Sequence, residues 1–247
     1  MSGARNSYVS SINRLISELV DTEGPAIDVA AARIADSIAA GGVLHVFGSG
    51  HSSLLAQEIF HRAGGLVPVN AMLDVNLTIF GTARATAVER LEGYAASILA
   101  TYDVRPGEVV LVISVSGVNP VPIEVAQLAK ERGANVIAVM SAAAYANAPS
   151  RDRTGRKLSD VADAVLDLHV PWGDAVQAIG DDGMVLGATS TVLGSVLLNC
   201  LAVSVAEQLA ARGESVPAFV SQNIPGGDEH NATLIERYRP RIPLMKP

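Results

Sequence analysis

The residues of this chain best suited to chemistry lie in two short runs of small polar side chains. Gly48-Ser49-Gly50-His51-Ser52-Ser53 and Ser114-Val115-Ser116-Gly117-Val118-Asn119 each bring backbone amides and hydroxyls to one point. That combination holds a phosphate or a carboxylate. Gly50, His51, Ser52 and Ser53 are the candidate ligands of the first run; Ser114, Ser116, Gly117 and Asn119 are those of the second. A protonated His51 adds charge for an anion, and a neutral one still donates. Neither run is a Walker A loop, which needs Gly-Lys-Ser/Thr, and Ser53 stands where a dinucleotide fingerprint needs its third glycine. Asp74 falls near the place of a ribose-binding acid, which leaves a nucleotide as a rival ligand.

Such loops need strands before them and helices behind them. Val43–Phe47 is a short apolar run ahead of the first loop, and Leu54–Ala63 has helical spacing after it. The order repeats with the β-branched run Val109–Ile113, the second loop, a helix over Ile123–Arg132 and a strand over Asn135–Met140. Leu66–Val69 and Ala164–Leu168 complete about five strands alternating with helices. Alternation of this kind specifies an α/β fold with a parallel sheet and helices on both faces, and its ligands are expected beyond the carboxyl ends of the strands. Apolar spacing predicts two leading helices, 8–21 and 25–40, separated by Gly24-Pro25, while the polar segment 142–160 reads as a long ordered loop or lid. The expected organisation is one domain: N-terminal helices over 1–40 packing on the domain or a dimer interface, a central body over 41–220 and a C-terminal hook over 221–247.

Composition narrows the function classes. Of the 247 residues 49% are hydrophobic but only 4% aromatic, so the core is built from Ala, Val, Leu and Ile. Charged residues make up 17%, below the ~25% of an average domain, which implies extensive burial within or between subunits. Lys and Arg total 18 against 25 Asp and Glu, a net charge of -7, with no basic track for a nucleic acid. A lone cysteine, Cys200, and an N-terminus without the pattern of a signal peptide indicate the cytoplasm. Met184–Ala211, the longest apolar stretch, carries Thr189, Ser190, Thr191, Ser195, Asn199, Ser204 and Glu207 among its side chains and has no basic flank, and is expected as a core helix rather than a membrane span.

The pair strand–Gly-x-Gly-x-Ser–helix and strand–Ser-x-Ser-Gly-x-(Thr/Asn)–helix resembles the SIS (sugar isomerase) domain over about residues 30–230, and Gly187-Ala188-Thr189-Ser190-Thr191 looks like its third substrate-facing segment. With Phe60-His61-Arg62-Ala63-Gly64-Gly65 and Pro225-Gly226-Gly227-Asp228-Glu229-His230-Asn231, the chain is similar to the stand-alone bacterial SIS proteins of the UPF0309 type. The resemblance implies a three-layer α/β/α sandwich whose five parallel strands follow flavodoxin-like order. It also implies a sugar phosphate as ligand, held by Ser52, Ser114, Ser116 and Asn119, with Thr189 and Ser190 facing the sugar.

Aldose–ketose isomerisation through an enediol needs a base to move a proton between C1 and C2 and a group to open the ring, and no redox cofactor or metal. Glu58 and His61, at helical spacing after the first loop, are expected on one face as base and helper. His230 would reach a neighbouring active site from the C-terminal hook, so a homodimer or tetramer with shared sites is expected. The arabinose-phosphate isomerase branch reads Phe-His-Pro-Gly-Gly where this chain has Asn223-Ile224-Pro225-Gly226-Gly227, which removes its ring-opening histidine, and Asp174 lies near another of its acidic catalytic positions. The alternatives are a sugar-phosphate lyase or etherase on the same fold, and a non-catalytic sugar-phosphate sensor.

Overall fold

A computed structural model describes residues 3–246. Its centre is a parallel sheet of five strands, β1 (Leu44–Gly48), β2 (Val69–Met72), β3 (Val109–Ile113), β4 (Asn135–Met140) and β5 (Ala164–Asp167), in the order β2-β1-β3-β4-β5. This is the expected flavodoxin-like arrangement. Strand side chains alternate between two cores. Val46, Ala71, Leu111, Ile113, Ile137 and Val139 face one, while Phe47, Met72, Val110, Val112, Val136 and Ala138 face the other. Both faces are covered, which is why β3 reads as an unbroken apolar run and β1 as one interrupted only by the buried His45.

The first core is closed by α1 (Gly3–Ala39), α2 (Ser52–Glu58) and α7 (Ser190–Ala211). The second is closed by α4 (Tyr94–Leu99), α5 (Pro120–Glu131) and α6 (Leu158–Val161), with α3 (Ala83–Glu89) preceding α4 in the crossover from β2 to β3. A hairpin, β6 (Ala175–Ile179) and β7 (Met184–Ala188), projects before α7, and α8 (Gly227–Tyr238) follows it.

Several boundaries differ from the sequence expectation. The two leading helices are one, with Pro25 inside it. The buried stripe explains this: Leu15, Leu19, Ile27, Ala30, Ala31, Ile34 and Ile38 keep one phase across the proline, so burial along the whole helix outweighs the bond that Pro25 cannot make. Beta-2 begins at Val69 rather than Leu66, because Pro68 has no N–H for the ladder; its carbonyl instead accepts from Leu44 N–H at 2.8 Å, and Leu66 bridges Ala218. Met184–Ala188 is not helical but pairs with β6, so the long apolar helix starts at Ser190. The helix after the first loop ends at Glu58, five residues short of Ala63. Among the described residues α7 alone is long and apolar enough to cross a membrane, and its Leu193, Leu197, Leu201 and Val205 are buried in the first core.

Candidate functional site

Both small-residue loops leave the carboxyl ends of adjacent strands, with Gly48 of β1 in register with Ile113 of β3. In the second loop Gly117 holds a left-handed φ of +63°, and an added Cβ would lie 2.6 Å from Cε of Met140. Ser114 Oγ accepts from Gly117 N–H at 3.3 Å, which ties the loop into a tight turn. Among the described residues the hydroxyls of Ser52 and Ser116 have no protein partner, and His51 is exposed. Ser53 differs: it is buried and donates to the Gly50 carbonyl at 2.7 Å, a turn-closing bond rather than a ligand-facing hydroxyl.

Asn119 stands at the N-cap of α5, where Pro120 occupies the first helical position, yet its side chain makes no capping bond. Its amide reaches across to the carboxylate of Glu89 at 2.8 Å, and Ser49 Oγ donates to the other oxygen of Glu89 at 2.5 Å. Glu89 therefore bridges the two loops. Arg151, from the 142–160 segment, donates to Asn119 Oδ1 at 2.9 Å, and its backbone N–H bonds Val118. The expected lid is thus fastened to the second loop, and it brings a cation there. Burial pushes the Glu89 carboxyl above its ordinary value; the bonds from Ser49 and Asn119 and the charges of Arg90 and Arg151 offset this only in part.

The third expected segment is built differently. Thr189 and Ser190 open α7, but both backbone N–H groups and both hydroxyls donate to the Asp174 carboxylate at 2.7–3.0 Å. Asp174, with a left-handed φ of +67°, therefore caps α7 from outside the helix. Burial raises its proton affinity, yet these donors hold the carboxyl below its ordinary value. Asp174, Thr189 and Ser190 are brought together as a cap in which the threonine and serine donors are directed at the aspartate.

Glu58, His61 and His230 lie away from the loops within one chain. Helix α2 runs beside α7 in the same direction, since Glu58 meets Asn199 at 3.3 Å and Leu55 lies against Gly194. Glu58 is therefore six residues, about 9 Å of helix rise, from Ser52, and its carboxylate pairs with Arg62. His61 is not on the helical face shared with Glu58: it lies past the helix end with φ +46°, and its ring packs 4.8 Å from that of Phe219. Phe219 clusters with Val43 and Val67, which precede β1 and β2, so His61 sits toward the amino end of the sheet. His230 meets the Ala218 carbonyl at 3.0 Å in the same region. Asp74 accepts from Asn76 N–H in its own turn and from Tyr94 Oη, twenty residues on.

Sequence reasoning missed Glu89 with its partner Ser49, and Arg151 as a neighbour of Asn119. Glu89 follows no motif; the available signal was its place in the crossover after β2, which returns past the carboxyl end of the sheet.

Comparison with known proteins agrees with this architecture. The SIS domain family matches residues 7–141. The UPF0309 protein of Listeria innocua is 39% identical over 241 residues, covering 97% of this chain and 98% of that protein. A UPF0309 protein of Halalkalibacterium halodurans is 40% identical over 240 residues, covering 97% and 96%. A phosphoheptose isomerase from Francisella tularensis shares the fold at a TM-score of 0.55 and 22% identity, over 82% of this chain and 96% of that one. With the family's strand order, both of its small-residue loops and full-length relatives, this chain belongs to the SIS domain family and, within it, to the UPF0309 proteins.

Proposed function

We propose that the chain binds a sugar phosphate and interconverts its aldose and ketose forms through an enediol, in the cytoplasm and as a homo-oligomer. One observation carries the reading: two neighbouring loops at the carboxyl edge of the sheet present the unpartnered hydroxyls of Ser52 and Ser116 beside Asn119 and Arg151. Neutral donors with one nearby cation suit a phosphate that must also leave. The likeness of the fold to a phosphoheptose isomerase supports the same class. Thr189, Ser190 and Asp174 support the site by fixing the start of α7. Glu58, His61 and His230 contribute to ring opening or proton transfer only where a partner subunit carries them to the loops. Exposed Ile179, Met184, Val185 and Leu186 on the hairpin and Val203 on α7 support such a partner.

A thermal-shift screen over pentose, hexose and heptose phosphates, followed by a turnover assay on each hit, tests the proposal. Stabilisation with turnover is expected, and Ser116→Ala should weaken binding by about 10–100-fold, the loss of one hydrogen bond to a charged group. No stabilisation by any sugar phosphate would refute it. The sensor reading draws on the separation of Glu58, His61 and His230 from the loops, and stabilisation without turnover would favour it. A lyase or etherase would reveal itself by loss of a C3 substituent in the products.

A further inference from the structure

We propose that Glu89 is the group that removes the proton from C2 of the bound sugar phosphate, with Ser49 and Asn119 as its positioning residues. The assignment rests on the phosphosugar reading above and replaces Glu58 as the base within one chain.

Position is the first argument. Glu89 Oε1 meets Ser49 at the end of β1, and Oε2 meets Asn119 at the start of α5, so the carboxylate lies between the two loops that would hold the phosphate. Free capacity is the second. Each oxygen accepts one hydrogen bond from a protein group and keeps a lone pair, whereas Asp174 accepts four, three of them on Oδ1. Proton affinity is the third. The two acids stand in opposite environments: burial leaves Glu89 above its ordinary value, and the donors around Asp174 hold that carboxyl below its own. Divergence of this kind separates an acid–base group from a structural one. The charged groups acting on Glu89 are Arg90, at the end of its own helix, and Arg151, from the segment over the second loop; both favour the carboxylate, which is the form needed at the start.

The chemistry balances without a cofactor. Glu89 takes the C2 proton of the open-chain aldose phosphate, the C2–H electron pair becomes the C1=C2 bond, and the C1 carbonyl oxygen is protonated to give the enediol. Glu89 then returns its proton to C1 while the C2 hydroxyl loses one and becomes the ketone. C1 is reduced and C2 oxidised within one molecule. In a lyase the same first step precedes departure of the C3 substituent with the electron pair, so the assignment holds for either product.

The test is solvent exchange at C2, followed by NMR in D2O with pentose, hexose and heptose phosphates, alongside thermal shifts with inorganic phosphate. Glu89→Gln should lose exchange by about 100–10,000-fold and keep the phosphate-induced shift, which also reports that it folds. Glu89→Asp, which keeps the carboxylate on a shorter arm, should retain part of the exchange. Ser49→Ala should move the acid limb of kcat/KM to higher pH, because it removes a donor to the charged form; a merely structural role would lower the rate at every pH alike. Wild-type exchange in Glu89→Gln, or loss in Glu58→Gln with Glu89→Gln unaffected, would overturn the assignment and leave the isomerase reading standing. Absence of exchange in the wild-type protein with every phosphate would overturn both.

Discussion

Glu108 precedes β3 at the amino end of the sheet, nearly out of contact with water, and shows how a buried acid is kept ionised. Burial pushes its carboxyl up. Bonds from His45, from the backbone N–H groups of Arg105 and Val43 and from Arg241 outweigh burial and bring it from 4.5 to about 2. Asn70 donates to His45 Nδ1, which directs the Nε2 proton of His45 at Glu108. A folded value below the unfolded one stabilises the protein fully above pH 4.5, and that contribution fades as pH falls toward about 2. At 1.36 kcal/mol per unit the contribution is of order 3 kcal/mol. Urea titrations should therefore show stability falling between pH 4.5 and 2, with a shallower fall in Glu108→Gln. The variant should also be less stable at pH 7, because His45 and Arg241 lose the buried charged partner they share. An unchanged acid profile in the variant would show that Glu108 does not carry the effect. Asp174, Glu89 and Glu108 are all acids in one sequence, and nothing in their immediate neighbours distinguishes them. Apart from Arg105 N–H, three residues from Glu108, the donors that act on them lie 15 to 133 residues away in the chain.

At the scale of elements, the turn from β1 into α2 sets the shape of the first loop. The strand ends at Gly48 because the backbone of the next helix passes over it: a Cβ there would lie 2.4 Å from the Ser52 carbonyl oxygen and 2.6 Å from its carbon. Both are main-chain atoms and cannot swing aside. Gly48→Ala should cost about 1–3 kcal/mol by overpacking, a fall in Tm of roughly 5 °C, and should weaken phosphate-induced stabilisation because Ser52 is displaced. A wild-type Tm and phosphate response would contradict the close approach. Strand and loop were legible here from the apolar run and the glycines. The end of α2 at Glu58 was not, since Ile59 and Phe60 continue an apolar pattern and only their packing near Phe219 and α7 turns the chain away. The same holds for α1, whose proline signals a break in any local reading, while its stripe against β3 and α7 requires continuity. Met184–Ala188 matched a helix by hydrophobicity alone and became a strand because β6 was there to pair with it.

For the whole molecule, the low charge content has two outlets: the two cores on either face of the sheet, and an exposed apolar surface on the hairpin and α7. Sedimentation at micromolar concentration should show a dimer or tetramer, and Met184→Glu with Leu186→Glu should shift it toward the 25.6 kDa chain. A wild-type monomer would remove the route by which His230 or Glu58 reaches a second site. The sequence by itself determined the α/β class, the five strands and the two phosphate-type loops, because each is written in local periodicity and in small residues that a tight turn requires. Only the tertiary structure decided which acid faces those loops. Ser49 and Asn119 lie 40 and 30 residues from Glu89, and they meet it because the crossover after β2 packs back over the carboxyl edge of the sheet. Local patterns specify elements; burial and the donors that packing brings together decide what a carboxylate can do.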